Sequence, residues 1–289
     1  HGQTVRHLPR KTRFAGYLVN GTMQLGSLEQ IAAHTRRIVV GDFRQADIAL
    51  GNEGAPITGA AMHRLFAAVE ESRLIVNIGG MSNFFYFPGR KARRAPAAAD
   101  CGPGNSLCDI LASRLFGVPF DRGGKLARSG RTSQRLLTLL LGQPYFKRGA
   151  RSTGREEFGQ RLADRLIAAG RKLRLEKADI LATAAELTVC AISRSLRPFI
   201  RRDRTVRSLY LTGGGVHNRF FVERLRGLSD SLAVESIAAL GYDSDLVEAS
   251  AYAVMGEAAL RGEALPTRFG SGMRKPHRPV LGRIVQPPH

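Results

Sequence analysis

An apolar run, Ser208-Leu209-Tyr210-Leu211-Thr212, stops at three successive glycines, Gly213-Gly214-Gly215, and a helical pattern resumes over Asn218 to Arg226. Neither a helix nor a strand tolerates three adjacent glycines in its interior, so this junction is predicted as strand, tight turn, helix. Similar punctuation occurs earlier. Leu74 to Ile78 is a largely apolar strand that turns at Gly79-Gly80 into a second strand, Ser82 to Phe87, and so predicts a β-hairpin. Hairpins mixed with strand–glycine–helix units predict an α/β protein with a mixed sheet.

The other elements fit that class. Residues 17–25 are predicted as a strand and Leu28 to His34 as a short helix. Arg37 to Val40 is a further strand, running into the polar group Asp42, Arg44 and Asp47. A glycine-rich loop at 51–56 precedes a helix from about Ala60 to Val69, and 70–73 reads as a boundary. Pro88 to Ala99 is expected to be a basic surface loop, Asp100 to Asn105 a turn, and Ser106 to Phe116 a helix. Further helices are predicted at 133–141, 158–169, 178–200 and 244–261, with a short strand at 234–237. The last, basic and proline-containing residues are expected to form a tail on the surface.

Length and charge limit the function classes. With 289 residues, two lobes are expected, and no apolar run approaches the ~20 residues of a membrane span. The formal charge of +20 raises a nucleic-acid reading, but only 7 of the 44 basic residues are lysine. A GC-rich coding sequence gives such an arginine excess without any partner, and the arginines are scattered with no interleaved aromatic platform. Three cysteines without CxxC spacing argue against a disulfide framework and a zinc site. The chain opens at His1 with neither initiator nor leader, so sequence ahead of it is expected to be missing.

Four segments have the residue types for chemistry. The 213–215 turn lets backbone approach a flat or anionic ligand, although it is neither a P-loop nor a GxGxxG fingerprint; a packing turn explains it too. Asp100 stands just ahead of Gly102-Pro103-Gly104-Asn105, where a firmly held carboxylate suits a general base and equally an N-cap or Asx turn. The following helix start offers N–H groups to an anion. Arg151-Ser152-Thr153-Gly154-Arg155-Glu156 suits phosphate or sugar hydroxyls, or a helix cap. Glu248, on an alanine-rich helix behind Asp243 and Asp245, suits a magnesium ion held mostly by water and phosphate; first-turn acids complementing the helix dipole explain the two aspartates.

Taken in order, HGQTVRH (1–7), DFRQADIA (42–49), GAP (54–56), NIGGMSN (77–83), DCGPGN (100–105), PYF (144–146), STGRE (152–156), AELT (185–188), LTGGGVHN (211–218) and VEASAYA (247–253) resemble the anhydro-N-acetylmuramic acid kinases, sugar kinases of the actin- and hexokinase-like superfamily. The resemblance implies a two-lobed, actin-like ATPase (ribonuclease H-like) fold. Residues 1–70 would be the remainder of a first, sugar-binding lobe, 71–262 a second lobe with the nucleotide and catalytic residues, and 263–289 a basic tail. It implies ATP and Mg²⁺ as cofactors, Asp100 as the base, and Asn77, Gly79, Gly80, Gly102, Gly104, Asn105, Gly213, Gly214, Gly215 and Asn218 around the nucleotide. Glu248 would be the carboxylate linked to the metal, and Thr4, Asp42, Arg44, Glu53 and Gly54 would touch the amino sugar. A cytoplasmic homodimer without nucleic-acid or membrane partners is expected.

Departures accompany the likeness. The family's opening glycine/serine turn, which cradles the β- and γ-phosphates, is absent, so exposed sheet edges are expected in the first lobe. Glu53 replaces the usual glutamine, and Gly124-Lys125-Leu126 departs from the family's more acidic and aromatic pattern. The alternatives are a catalytically inactive relic of such a kinase and a basic nucleic-acid-binding protein on the same scaffold.

Overall fold

The computed structural model describes residues 2–92, 94–147, 155–227, 232–265 and 279–288. They divide into one unit of residues 1–66 with 248–289 and a second of residues 67–247. The first unit opens with a hairpin of β1 (Thr4–Phe14) and β2 (Tyr17–Gln24), closed at Ala15 and Gly16. Both turn residues have positive φ, 47° and 85°, the primed-turn geometry that matches strand twist. β1 escaped the sequence reading because Pro9 and four basic residues break its alternation. Both strands are edges of a two-stranded sheet, and Phe14, Tyr17 and Leu18 are exposed on them. The chain continues through α1 (Leu28–Thr35), capped by Ser27, then β3 (Val39–Gly41), α2 (Phe43–Ala49) and α3 (Gly59–Phe66).

The second unit contains β4 (Ser72–Ile78), β5 (Met81–Phe87), β6 (Ala97–Pro103), α4 (Asn105–Phe116), α5 (Lys125–Ser129), α6 (Gln134–Leu141), α7 (Pro144–Lys147), α8 (Arg155–Phe158), α9 (Gln160–Lys172), α10 (Lys177–Arg202), β7 (Val206–Thr212), α11 (Arg219–Arg226) and β8 (Ala233–Ser236). α12 (Val247–Leu260) and β9 (Arg283–Val285) follow, and β9 pairs antiparallel with β3. The last residues are therefore not simply a surface tail. Leu281 is 1% exposed, and Arg283 bonds Asp42 Oδ2 at 3.1 Å and Glu29 Oε1 at 2.6 Å.

The five-stranded sheet has the order β6-β5-β4-β7-β8, with β5 antiparallel to both neighbours and β7 and β8 parallel to β4. This is the mixed α/β sheet expected of such a lobe. Alternation along each strand sends Leu74, Val76, Ile78, Phe84, Tyr86, Leu209 and Leu211 into a core with residues of α4, α6, α9, α10 and α11. α10 spans 26 residues and buries Ile180, Leu181, Leu187 and Ile192 against it.

A second expectation fails. Residues 100–103 are not a turn but the end of β6, which also takes 97–99 from the expected loop. Asp100 pairs with Asn83, and the register then slips so that Gly102 pairs with Ser82. Cys101 is the extra residue of this bulge, and Gly102 carries it at φ 145°. Alanines and glycines at 97–103 carry little β-propensity, so pairing with β5 decided the conformation.

Candidate active site

β4 and β7 lie side by side and parallel, yet the chain leaves β4 toward β5 on one side and β7 toward β8 on the other. Open α/β sheets bind ligands outside the carboxyl ends of their strands where the order reverses in this way. The glycine turns stand at that place: Gly79-Gly80 after β4, and Gly213 to Gly215 after β7.

The glycines there are required by close approach. A Cβ on Gly213, at φ 77°, would lie 2.3 Å from Asn77 Oδ1, and one on Gly215 2.3 Å from Ile78 Cγ2. One on Gly104 would lie 2.3 Å from the Gly79 carbonyl oxygen. By contrast Gly214 meets nothing nearer than Asn105 Nδ2 at 3.7 Å, so its face toward any ligand is open.

The start of α4 differs from the anion site expected there. The N–H groups of Gly104 and Ser106 donate to the Gly80 carbonyl at 3.1 and 3.2 Å, and that of Asn105 to Gly79 at 2.8 Å. Asn105 Nδ2 adds a bond to the Ile78 carbonyl at 3.1 Å. These donors clamp the β4–β5 turn to the helix and are already engaged. Asn218 is likewise committed: it is 6% exposed and caps α11 by accepting from Phe220 N at 3.0 Å.

Asp100 is 9% exposed on β6, so the cap and Asx-turn explanations do not describe it. Cross-strand register aligns Asp100, Asn83, Asn77 and Thr212 across four strands on one face. The next residues along, Cys101, Val76, Ile78 and Leu211, face the core instead. The sequence places Asn83 in the second strand of the hairpin without a role, because its partners Asp100 and Asn77 come from other strands. Burial pushes the neighbouring Cys101 thiol up to about 12, and the charge of Asp100 adds to this, so the thiol stays protonated and inert.

In the first unit Asp42, Arg44 and Gly54 lie at α2, whereas Thr4 and the Glu53 carboxylate are held against β1 and β2. Asp47, 2% exposed, accepts from Asn52 Nδ2 at 2.9 Å and from Gly54 N at 2.8 Å, which shapes the 51–56 loop. Arg44 Nη1 donates to the Gly54 carbonyl at 2.5 Å. Asp42 holds left-handed backbone at φ 54°, a conformation uncommon outside glycine, and accepts from Arg283. Glu53 pairs with exposed Arg10 at 2.7 Å, and Thr4 Oγ1 accepts from Gln24 at 3.3 Å. Tyr252 on α12 joins them, with its ring 5.6 Å from that of Phe43. Burial pushes its phenol up to about 12, opposed by Arg44 and assisted by Glu248. In the sequence Tyr252 stands only as part of VEASAYA, with no role of its own.

Glu248 is exposed in the first turn of α12. Among the described residues no three His, Cys, Asp or Glu side chains group as a metal site. A lone carboxylate nevertheless fits magnesium, which takes one or two carboxylates with water and substrate phosphates supplying the rest. Residues 151–154 and the side chains of 155 and 156, the fourth sequence candidate, lie outside the described residues.

The family model for anhydro-N-acetylmuramic acid kinase matches residues 1–287. The chain belongs to the anhydro-N-acetylmuramic acid kinase family. It is 37% identical to the kinase of that name from Salinibacter ruber, over 99% of this chain and 72% of the relative. The Shewanella baltica (strain OS155) kinase is 38% identical over 88% of this chain and 65% of its own length. That of Bacillus thuringiensis subsp. konkukian is 34% identical over 100% and 74%. The chain thus spans about two thirds to three quarters of the relatives it matches. The activator of 2-hydroxyisocaproyl-CoA dehydratase from Clostridium difficile with bound ADPNP superposes with a TM-score of 0.38 and 14% identity, covering 71% of this chain and 66% of that one. A pCBH ParM quadruple mutant gives 0.36 and 13%, covering 71% and 53%. At that level neither bears on the site of this anhydro-N-acetylmuramic acid kinase family member. Among the described residues no helix is long and apolar enough to cross a membrane.

Proposed function

We propose that this protein uses ATP to phosphorylate 1,6-anhydro-N-acetylmuramic acid with hydrolytic opening of the anhydro ring, giving N-acetylmuramic acid 6-phosphate. The observation that carries the proposal is the placing of a buried carboxylate, Asp100, on the same sheet as two glycine turns at the point where strand order reverses. Asp100 takes a proton from water as that water attacks the anomeric carbon. The carbon–O6 bond breaks, O6 takes the γ-phosphoryl group, and ADP leaves.

The remaining roles belong to the same proposal. Gly213, Gly214 and Gly215 receive the adenosine, with Gly214 the most open of the three. Asn77, Gly79 and Gly80 face the phosphates, while Gly104, Asn105 and Asn218 act by holding those turns in place and Gly102 acts through the bulge at the end of β6. Arg44, Asp42, Thr4, Glu53 and Gly54 form the amino-sugar side. Glu248 would hold magnesium, which would supply neutralisation of phosphate charge. A cytoplasmic homodimer that acts on small molecules alone completes the reading.

Turnover of the anhydro sugar with Mg·ATP tests it directly. Asp100→Asn in the full-length protein is expected to abolish turnover while ATP binding, followed by calorimetry, stays near the wild-type value. Retained turnover in that variant would remove Asp100 from the base role. DNA binding that persists at physiological salt would favour a nucleic-acid protein instead.

A further inference from the structure

We propose that Asn83 is a positioning residue that, together with Asp100, holds the ring-opening water; this rests on Asp100 being the base. Among the described residues two buried side-chain atoms make no hydrogen bond, Asn83 Oδ1 and Thr188 Oγ1. Such atoms are scarce and each calls for a reason. Thr188 is 0% exposed within α10 and the hydrophobic core around it. Asn83 is placed differently. It pairs with Asp100 in the β5–β6 ladder and with Asn77 in the β4–β5 ladder, beside the switch between β4 and β7.

Residues paired across neighbouring strands set their Cβ atoms about 4.5–5.5 Å apart on one face. A small molecule between Asn83 and Asp100 is thus in reach of both. A carboxylate accepts hydrogen bonds, and so does an amide oxygen. A molecule held between these two acceptors must be a donor with two hydrogens. Water has two; a sugar hydroxyl has one and would leave an acceptor unmet. With one O–H directed to Asp100 and the other to Asn83 Oδ1, the orientation of the water is fixed and its lone pair is aimed. As its oxygen bonds the anomeric carbon and the carbon–O6 bond breaks, Asp100 takes one proton. The other stays on the new anomeric hydroxyl, still donated to Asn83. The bulge at Cys101 and Gly102 sets this pair by ending the regular register just beyond it.

The test compares Asn83→Leu and Asn83→Asp with the wild type and Asp100→Asn, all as the full-length protein, with Mg·ATP and the anhydro sugar. Leucine keeps the shape and removes the acceptor. It is expected to lower kcat about 100-fold, to leave both KM values within about twofold, and not to lower the Tm. Aspartate keeps an acceptor and is expected to recover part of the lost kcat. An Asn83→Leu enzyme with wild-type kcat, or one whose loss lies in KM or accompanies a lowered Tm, overturns the inference while leaving Asp100 as base. A wild type that does not turn over, or an active Asp100→Asn variant, overturns the reading of the base and this inference with it.

Discussion

Thr188 brings a hydroxyl into the core with no exposure and no partner. An unsatisfied buried donor or acceptor costs stability, so an apolar replacement of the same shape removes a penalty rather than a contact. Thr188→Val is expected to raise stability by about 1 kcal/mol, seen as a higher Tm with unchanged kinetics. A fall in Tm would mean the hydroxyl is satisfied in solution. Asp203, 5% exposed, shows the opposite condition: it accepts from Tyr86 Oη at 2.6 Å and from Thr205 N at 2.9 Å. At this scale the sequence named Asp100, a carboxylate in a fixed setting, but not Asn83 or Tyr252. Asn83 matters through its cross-strand partners and Tyr252 through the Phe43 ring against it, and neither neighbour is written in local sequence.

The turn after β7 shows what an element demands of its residues. Gly213→Ala would put a methyl group against Asn77 Oδ1 in backbone at φ 77°, whereas Gly214→Ala meets only ordinary contact. The first is expected to cost about 1–2 kcal/mol and to weaken ATP binding; the second should leave the Tm near wild type. Equal effects of the two on Tm would refute this account of the turn. The strand–glycine–helix order was legible because three glycines exclude any continuous element. The end of β6 was not, since Gly102 and Pro103 suggest a turn wherever no partner strand is known. The start of α4 resembled an anion site for a related reason: helix geometry exposes N–H groups, but only the tertiary structure brings the Gly79 and Gly80 carbonyls to them.

For the whole molecule, two carboxylates pull the pH dependence of stability in opposite directions. Burial alone would raise the carboxyl of Asp203, but hydrogen bonds from Ser72, Tyr86 and Thr205 outweigh it and hold the group at about 2, against 3.8 ordinarily. That contribution is full above about pH 4 and is lost as pH falls through about 2. Asp109 behaves in the reverse sense: burial, then repulsion from Asp121, pushes it from 3.8 to about 6. Its contribution is full below about pH 4 and lost as pH rises through about 6. Asp109→Asn is therefore expected to stabilise the protein at pH 7 by about 1 kcal/mol, after screening at a half-buried site, and to have no effect near pH 3. Chemical denaturation at the two pH values checks this, and an equal gain at both would contradict it.

By itself the sequence determined the class of fold, the order of most elements and the family, because periodicity, glycine punctuation and ordered motifs are all local properties of a chain. Only the tertiary structure decided that β9 closes on β3, that Asp100 lies in a strand, and that Asn83 shares its face. Those features arise from pairing between segments distant in the chain, where burial and hydrogen-bond satisfaction override local preference.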